Sequence, residues 1–281
     1  MTHFIKKVSG QKEAFNEQKI IRSLQQIGAD DNTIYLVMDK IKQQYPNIKN
    51  TQQIFAIALG KLKEIHIGMA SRYNLKKALL GLGPAGYSFE QFIGTIFQAQ
   101  GYKVTTNITA QGFCVTHELD VVASKGENHF MIECKFHNKQ RYKSSIKIPL
   151  YVKARFEDIK KALDKGFYDD THTIHKAWVA TNTNFSADAI SYAQCVGMHL
   201  LSWNFPIHKS IKDLIAQYKL YPITTLVNLT NKQKKLFLKH GLVLCRDVEQ
   251  NKNLLKSLGY SSDEINKLIK EAQQTCTLDA A

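Results

Sequence analysis

Two carboxylates and a lysine are embedded in an otherwise apolar stretch, HELDVVASKGENHFMIECKFH, residues 117–137. The acids are Asp120 and Glu133, and Lys135 follows Glu133 after one residue. Neighbouring carboxylates repel each other unless a cation neutralises them, and Mg²⁺ suits hard oxygen ligands. Such an ion polarises a phosphoryl oxygen and acidifies a bound water, while an ammonium group orients that water or stabilises negative charge. The spacing therefore predicts hydrolysis of a phosphodiester.

A β-hairpin is the element that would position these groups. HELDVVAS and NHFMIECKF have the composition of strands, and SKGEN between them has that of a turn. An antiparallel hairpin brings Asp120 near Glu133. Strand alternation predicts one apolar face that packs on helices and one face toward a cleft. The apolar face would hold Phe130, Ile132, Cys134 and Phe136, and the cleft face Met131, Glu133, Lys135 and His137. The alternative is a surface hairpin with a solvated charge cluster.

Strand and helix patterns alternate on both sides of the hairpin, over residues 86–208. Helices are predicted in FEQFIGTIFQAQG and PLYVKARFEDIKKALDKG, and further strands in YKVTTNITA, KAWVATN and MHLLSW. Helices that flank a mixed sheet define an α/β domain. We expect His117 and His137, which flank the hairpin, to be structural rather than catalytic.

In this order of elements, Glu90, Asp120 and Glu133-Cys134-Lys135 resemble the PD-(D/E)xK nuclease superfamily, and in particular the Mrr-type restriction endonucleases and the Holliday-junction resolvases. The resemblance implies a restriction-endonuclease-like mixed sheet flanked by helices. It also implies that Asp120, Glu133 and the backbone carbonyl of Cys134 bind Mg²⁺ or Mn²⁺, that Lys135 serves the attacking water, and that Glu90 joins the metal shell. Leu119 stands where the superfamily pattern has proline.

The chain is strongly basic, with a net charge of +14. An excess of lysine and arginine favours a polyanionic partner, and DNA fits a nuclease motif. Nine of these residues lie between Lys135 and Lys161, directly after the proposed site. The candidates for contacts with the DNA backbone are Lys139, Arg141, Lys143, Lys153 and Arg155. A solvated, charged helix face is the alternative.

Residues 1–83 are predicted to be mostly helical, and GLGPAG at 81–86 reads as a linker. Their opening, FIKKVSGQKEAFNEQKI, resembles an ATP-cone, the small nucleotide-binding domain of ribonucleotide reductases. The resemblance implies that ATP or dATP binds as a regulator, with Lys6, Lys7, Gly10, Phe15 and Lys19 in its site. Ser9-Gly10 and Ala14 depart from the usual Asp-Gly turn and proline. A helical domain with surface lysines is the alternative.

Residues 211–281 are predicted to form a third, helical domain. Capping boxes are expected at Thr230 with Gln233, at Asp247 with Gln250 and at Ser261 with Glu264, and left-handed C-caps at Gly241 and Gly259. The segment around LGY weakly resembles a helix-hairpin-helix unit, which implies contact with a DNA backbone. Packing or oligomerisation is an equal alternative.

Composition excludes several classes of protein. The five cysteines have neither the number nor the spacing of a disulfide framework or a structural zinc site, so a reducing cytoplasm is expected. No apolar run has the length of a membrane span, so no transmembrane helix is expected, and MTHFIKK is not expected to act as a secretion signal.

The sequence as a whole predicts a cytoplasmic, Mg²⁺-dependent DNA endonuclease that an ATP-cone regulates, in restriction, defence or repair. Cutting both strands in concert would need a homodimer or a homotetramer. One alternative is a nucleotide-responsive DNA-binding regulator with an inactive nuclease fold. Another is an interaction protein that binds RNA or ribosomes.

Overall fold

The computed structural model describes residues 4–6, 12–83, 86–167 and 174–277. The chain divides into two compact units. One unit comprises residues 79–220, and the other combines residues up to 78 with residues from 221 onward. In the described part of the chain, no helix has both the length and the apolar character that crossing a membrane requires.

The N-terminal part of the discontinuous unit is a small hairpin followed by helices. Its elements are β1 (Phe4–Lys6), β2 (Lys12–Ala14), α1 (Glu17–Gln25), α2 (Asp31–Gln44), α3 (Thr51–Ile65), α4 (Ile67–Tyr73) and α5 (Leu75–Leu79). The first three helices begin where Asn16, Asp30 and Asn50 accept a backbone N–H of the first turn. Asn50 is therefore the N-cap of α3, because its side-chain oxygen accepts the backbone N–H of Gln53, and Thr51 is the first residue of the helix.

The continuous unit contains the predicted α/β domain. Its elements are α6 (Tyr87–Ala99), β3 (Lys103–Gln111), β4 (Thr116–Lys125), β5 (Asn128–Lys135), β6 (Lys143–Ser144), α7 (Lys147–Asp164), β7 (Lys176–Thr181), β8 (Asn184–Phe185), α8 (Ala187–Cys195), β9 (His199–Leu201) and α9 (Ile211–Tyr218). β6 and β8 form a short parallel pair that the sequence did not predict.

A mixed five-stranded sheet with the order β3-β4-β5-β7-β9 lies at the centre of this unit. β3, β4 and β5 are antiparallel, whereas β7 and β9 run parallel to β5. One face packs on α6, where Phe97 meets Trp178 with ring centroids 5.4 Å apart. The other face packs on α7, whose Val152 and Ile159 are buried in the core. The predicted mixed sheet flanked by helices is confirmed.

The two faces of β5 differ from the prediction at Met131. The alternation holds, but Met131 is almost completely buried against the α7 layer instead of lining a cleft. Both faces of the sheet are covered by helices, as is usual for strands paired in parallel. On this face of β5, Glu133 is half-buried and Lys135, at the end of the strand, is exposed.

The C-terminal part of the discontinuous unit is helical, as predicted. Its elements are α10 (Asn231–Lys239), α11 (Asp247–Gln250), α12 (Lys252–Ser257) and α13 (Ser262–Cys276). The capping boxes at Thr230 and Ser261 are confirmed. The capping box predicted at Asp247 is wrong, because the Asp247 carboxylate accepts the backbone N–H groups of Val243 and Leu244, which precede the helix. Gly241 and Gly259 have positive φ, as a left-handed C-cap requires.

The first and third predicted segments fold together, because α4 packs on α13. The buried guanidinium of Arg72 donates to the backbone carbonyls of Gln274 and Thr277, each at 2.8 Å. Ser71 donates to the buried carboxylate of Glu271 at 2.7 Å. These contacts satisfy polar groups that burial would otherwise leave without partners. The two ends of the chain therefore contribute to one core.

Candidate active site

The carboxylate of Asp120 lies where β4 and β5 separate. The paired register of the two strands runs from Lys125 and Asn128 to Val121 and Ile132. Just beyond it, Asp120 Oδ2 accepts the backbone N–H of Cys134 at 2.7 Å. The carboxylate thus takes the place of a strand partner, and this bond fixes its orientation toward the end of β5.

An unusual residue on β3 accompanies this change in pairing. Asn107 has a φ of 53° and lies between the pairs Thr106–Val121 and Ile108–Leu119, opposite Asp120. Asparagine tolerates this left-handed conformation better than most residues. The site is therefore built at a local distortion of the sheet.

Glu133 is held by an arginine from the neighbouring helix. Arg155 of α7 donates Nη1 to Glu133 Oε2 at 2.5 Å and Nη2 to the backbone carbonyl of Glu118. Both partners of the ion pair are largely buried, with side-chain exposures of 8% for Arg155 and 19% for Glu133. A buried ion pair needs such additional hydrogen bonds to offset the desolvation of its charges.

The three acids of the motif affect one another's protonation. Burial raises the pKa of Glu90 to about 7, and the charges of Asp120 and Glu133 contribute to the rise. Burial also raises the pKa of Asp120 and of Glu133, while Arg155 opposes both shifts. The charges of Asp120 and Glu133 act on Glu90, and the charge of Asp120 acts on Glu133, so the three groups share one electrostatic site. The structure therefore brings together the three predicted acids.

Lys135 and Glu90 come from opposite sides of this site. Lys135 is exposed at the end of β5, where its backbone carbonyl accepts Thr181 Oγ1 at 2.7 Å. Its ammonium charge lowers the pKa of Asp120 and Glu133, although less than burial raises them. Glu90 lies in the first turn of α6, next to Gly86, whose φ is 80°.

A polar pocket of about 520 Å³ opens on the α7 side of the hairpin. It is lined by Thr109, Thr116, His117, Glu118, Asp120, Glu133, Tyr151 and Arg155. Its size falls within the range typical of small-molecule and substrate sites. Asp120 and Glu133 are therefore accessible to a ligand despite their burial.

The donor set fits a hard divalent cation. Asp120 and Glu133 offer carboxylate oxygens, and the backbone carbonyl of Cys134 lies on the same strand end, all of which are ligand types that Mg²⁺ prefers. Within the described ranges, no three His, Cys, Asp or Glu side chains converge into a preformed metal cluster. Glu133 pairs with Arg155 in this arrangement, so its Oε2 is engaged by a cation of the protein itself.

Both histidines that flank the motif have partners. His117 Nε2 lies 2.8 Å from Asp158 Oδ2, and His137 Nε2 lies 2.9 Å from Ser144 Oγ. Asp158 also accepts the backbone N–H of Cys114 at 2.9 Å, so α7 holds the loop between β3 and β4. The pKa of Asp158 is lowered to about 2, and the hydrogen bond with His117 is the largest cause. These contacts give both histidines a structural role.

The sequence interpretation did not anticipate the pairing of Arg155 with Glu133. A signal was present, however, because α7 buries Val152, Phe156 and Ile159 at helical spacing, and Arg155 lies on the same face. A charge on the apolar face of a helix that packs on a sheet needs a buried counter-charge. Glu133 is that counter-charge.

The basic candidates are in different environments. Lys139, Arg141 and Lys143 are exposed in the loop after β5 and at β6, and both Lys139 and Arg141 approach the ring of Tyr142. Lys153 is partly exposed and pairs with Glu157 at 2.5 Å. Arg155, by contrast, lies inside the pocket rather than on the helix surface.

The nucleotide candidates lie on the other unit. Lys6 is exposed on β1 and donates its backbone N–H to Lys49. Lys19 pairs with Glu13 at 2.7 Å, and the ring of Phe15 packs on Tyr45 with centroids 4.8 Å apart. Lys7 and Gly10 lie outside the described residues.

Two family models match the chain. The one described as "Restriction endonuclease" (Mrr_cat) matches residues 84–204, and the one described as "AF1548-like, C-terminal" matches residues 221–276. An uncharacterised protein of Archaeoglobus fulgidus is 36% identical over 180 residues, which are 64% of this chain and 97% of that protein. The crystal structure titled "Protein of Unknown Function AF1548" is 34% identical, with a TM-score of 0.56, and the match covers 68% of this chain and 97% of that one.

Proposed function

Because the chain belongs to the AF1548-like family and carries a restriction-endonuclease-like domain, we propose that it is a Mg²⁺-dependent DNA endonuclease. One observation carries the proposal. Burial raises the pKa of three half-buried acids, Glu90, Asp120 and Glu133, at the end of the central hairpin next to the exposed Lys135, and the charges of Asp120 and Glu133 add to the rise at Glu90. Such a concentration of like charge is costly to a fold unless it binds a cation or a substrate.

Asp120, Glu133 and the backbone carbonyl of Cys134 would hold the metal ion, with Glu90 close by. When bound, Mg²⁺ would polarise the scissile phosphate and lower the pKa of a water molecule. The bond from the Cys134 N–H keeps one oxygen of Asp120 fixed and leaves the other for a ligand. The residues of the chain thus orient the donors before any ion arrives.

Lys135 acts at the edge of the site. Its backbone is anchored by Thr181, its partner in the last pair of β5 and β7, while its side chain is exposed. An ammonium group in this place orients the attacking water by a hydrogen bond and stabilises negative charge as it develops on the phosphate. Lys135 does not need to be deprotonated for either role.

The DNA backbone would run over the loop that follows β5. Lys139 and Arg141 flank Tyr142, which is 47% exposed, and Lys143 follows it. Lysine and arginine neutralise phosphates without reading sequence, and an exposed aromatic ring adds a surface on which a base or sugar packs. Binding at this loop should therefore be sensitive to salt and indifferent to sequence.

The experiment is the conversion of supercoiled plasmid to nicked and linear forms with Mg²⁺ or Mn²⁺. The Glu133→Gln protein is compared with the parent and with Glu127→Gln, a matched control that changes an exposed acid in the turn of the same hairpin. We expect cleavage by the parent and by Glu127→Gln and none by Glu133→Gln. Equal cleavage by all three proteins would overturn the assignment. A methylated plasmid and a four-way junction serve as further substrates for restriction and repair.

A second candidate is a DNA-binding regulator with an inactive nuclease fold. The ion pair between Arg155 and Glu133 favours it, because this pair occupies an oxygen of the carboxylate that would bind the metal. This candidate predicts salt-sensitive DNA binding by the parent and by Glu133→Gln alike, without cleavage by either. A preference for RNA over duplex DNA would instead point to the RNA-binding alternative.

We also propose that ATP or dATP binds the N-terminal hairpin and helices. The support is topological: β1 and β2 pair antiparallel, and Lys6 makes a parallel bridge to Asn50 just before α3, which gives the hairpin a third extended segment. A nucleotide that binds the folded state raises the melting temperature. No shift at saturating ATP or dATP would remove this part of the proposal.

A further inference from the structure

Arg155 is enclosed more completely than a residue that merely contacts DNA. Its relative exposure is 7%, and its two terminal nitrogens donate to Glu133 and to the backbone of Glu118. Among the described residues, its Nε has no hydrogen-bond partner. A buried N–H without a partner is costly, so the guanidinium is not fully satisfied where it lies.

The charge of Arg155 offsets that of Glu133. Arg155 Nη1 contacts Glu133 Oε2 between two largely buried side chains, and Asp120 lines the same pocket. Two neighbouring carboxylates repel each other unless a cation lies beside them. Arg155 therefore does for Glu133 in the metal-free protein what a divalent ion would do in the loaded one.

A divalent cation on Glu133 and the guanidinium of Arg155 would compete for the same carboxylate. A divalent ion on Glu133 would repel the guanidinium, because two positive charges would then lie close together in a largely buried site. Arg155 already lines the pocket, and its guanidinium lies 5.3 Å from the ring of Tyr151, which is 58% exposed. A planar guanidinium released into this pocket matches two oxygens of a phosphate group.

We propose that Arg155 is a mobile counter-ion, which neutralises Glu133 in the metal-free protein and moves onto the scissile phosphate when a divalent cation binds. The inference rests on the proposed function and adds to it a coupling between metal binding and DNA binding. The coupling is reciprocal by thermodynamic necessity, so each ligand strengthens the binding of the other. No covalent step involves Arg155.

Two measurements on the full chain test this coupling. The first is the affinity for Mn²⁺ without DNA, by calorimetry, in the parent, in Arg155→Met and in Lys160→Met, a control that removes one charge from an exposed position of the same helix. Removing the competing cation should tighten Mn²⁺ binding about tenfold in Arg155→Met, within the usual range of coupling between sites. Lys160→Met should bind like the parent.

The second measurement is the affinity for a short DNA duplex with Mg²⁺ and with EDTA. All three proteins carry Lys135→Ala, so that the duplex stays intact. The affinity of the parent should rise on addition of Mg²⁺, and Arg155→Met should reduce that gain about tenfold, because one guanidinium–phosphate contact is lost. A purely structural arginine would change stability without changing the gain.

The outcomes separate the inference from the proposed function. Equal Mn²⁺ affinities and equal Mg²⁺ gains in a protein that cleaves plasmid would overturn the inference alone. Tighter Mn²⁺ binding and a reduced gain in a protein that cleaves nothing would support the inference and overturn the nuclease. If Arg155→Met does not fold, Arg155→Lys decides. Its compact ammonium group lacks the planar fork by which two nitrogens reach Glu133 and the Glu118 carbonyl, so smaller changes in the same directions are expected, and no change would count against the proposal.

Discussion

The side-chain carboxylate of Asp120 takes the place of a backbone partner in the sheet, because it accepts the backbone N–H of Cys134 at 2.7 Å. One oxygen of the carboxylate completes the hydrogen bonds of the sheet, and the residue also lines the pocket. The same side chain therefore has a structural role beside the metal-binding role proposed for it, and two substitutions separate them.

Asp120→Asn and Asp120→Ala should both lose plasmid cleavage, by about a hundredfold or more, because neither provides a negative ligand. Their stabilities should differ. The amide oxygen of asparagine still accepts the Cys134 N–H, whereas alanine leaves this N–H without its partner, at a cost of about 1–3 kcal/mol in the free energy of unfolding. Urea denaturation measures the difference. Equal stabilities would mean that water replaces the carboxylate.

The high pKa of Glu90 predicts a dependence of stability on pH. The folded protein holds a proton on Glu90 up to a pH of about 7, whereas the unfolded chain releases it near an ordinary pKa of about 4.3. The free energy of unfolding of the metal-free protein should therefore fall as pH rises between these values. Melting temperatures in EDTA from about pH 5 to about pH 8 measure the slope.

Glu90→Gln should flatten that slope, because glutamine cannot release a proton. Glu127→Gln, the same change at an exposed position, should leave the slope as it is in the parent. A slope that is unaltered in Glu90→Gln would contradict the raised pKa of this residue and, with it, the closeness of the three acids.

Asp158 should hold the loop between β3 and β4 on α7. Its carboxylate accepts the Cys114 N–H and contacts His117, and both bonds lose the benefit of a charged acceptor in Asp158→Asn. We expect more frequent local opening of the loop, and therefore faster cleavage by chymotrypsin at Phe113, which is already 38% exposed. Glu157→Gln, one residue earlier on α7, should match the parent in digestion rate.

Gly68 should tolerate no side chain. A Cβ at this position would overlap the backbone carbonyl of Gln274, so α4 and α13 would have to separate. Gly68→Ala should lower the free energy of unfolding by about 1–3 kcal/mol. Gly60→Ala is the matched control in α3. Nothing lies within 4 Å of its Cβ, and it should stabilise by about 0.5–1 kcal/mol through helix propensity. Equal effects in the two variants would argue against the close approach of the helices.

Local patterns were sufficient to predict the hairpin that carries the acids. Asp120 and Glu133 lie on two strands, β4 and β5, that a short turn joins. The alternation of side chains along these strands needs no information from elsewhere in the chain. The two caps of α10 and α13 were predictable for the same reason, since each is a contact between residues three apart.

Contacts between distant segments were beyond such patterns. No sequence motif pairs Arg155 with Glu133, since they lie on different elements and meet only because α7 crosses the sheet. The same holds for Arg72 and the carbonyls of α13, which are separated by about two hundred residues. Met131 was assigned to a cleft because strand alternation gives the face of a residue but not what covers that face.

The joining of the two chain ends in one core has a consequence for biosynthesis. A ribosome makes residues 79–220 before it makes Gln274 and Thr277, whose carbonyls accept hydrogen bonds from Arg72. The sheet domain therefore has all of its own residues while the discontinuous unit still lacks α13. Because domains generally fold as units during synthesis, the sheet domain is able to fold first. A chain that stops early, at a premature termination codon near residue 221, would thus have the complete central sheet attached to an N-terminal half in which Arg72 lacks the carbonyls of Gln274 and Thr277. Quality-control proteases that recognise exposed or unfinished cores would have a means of removing such chains.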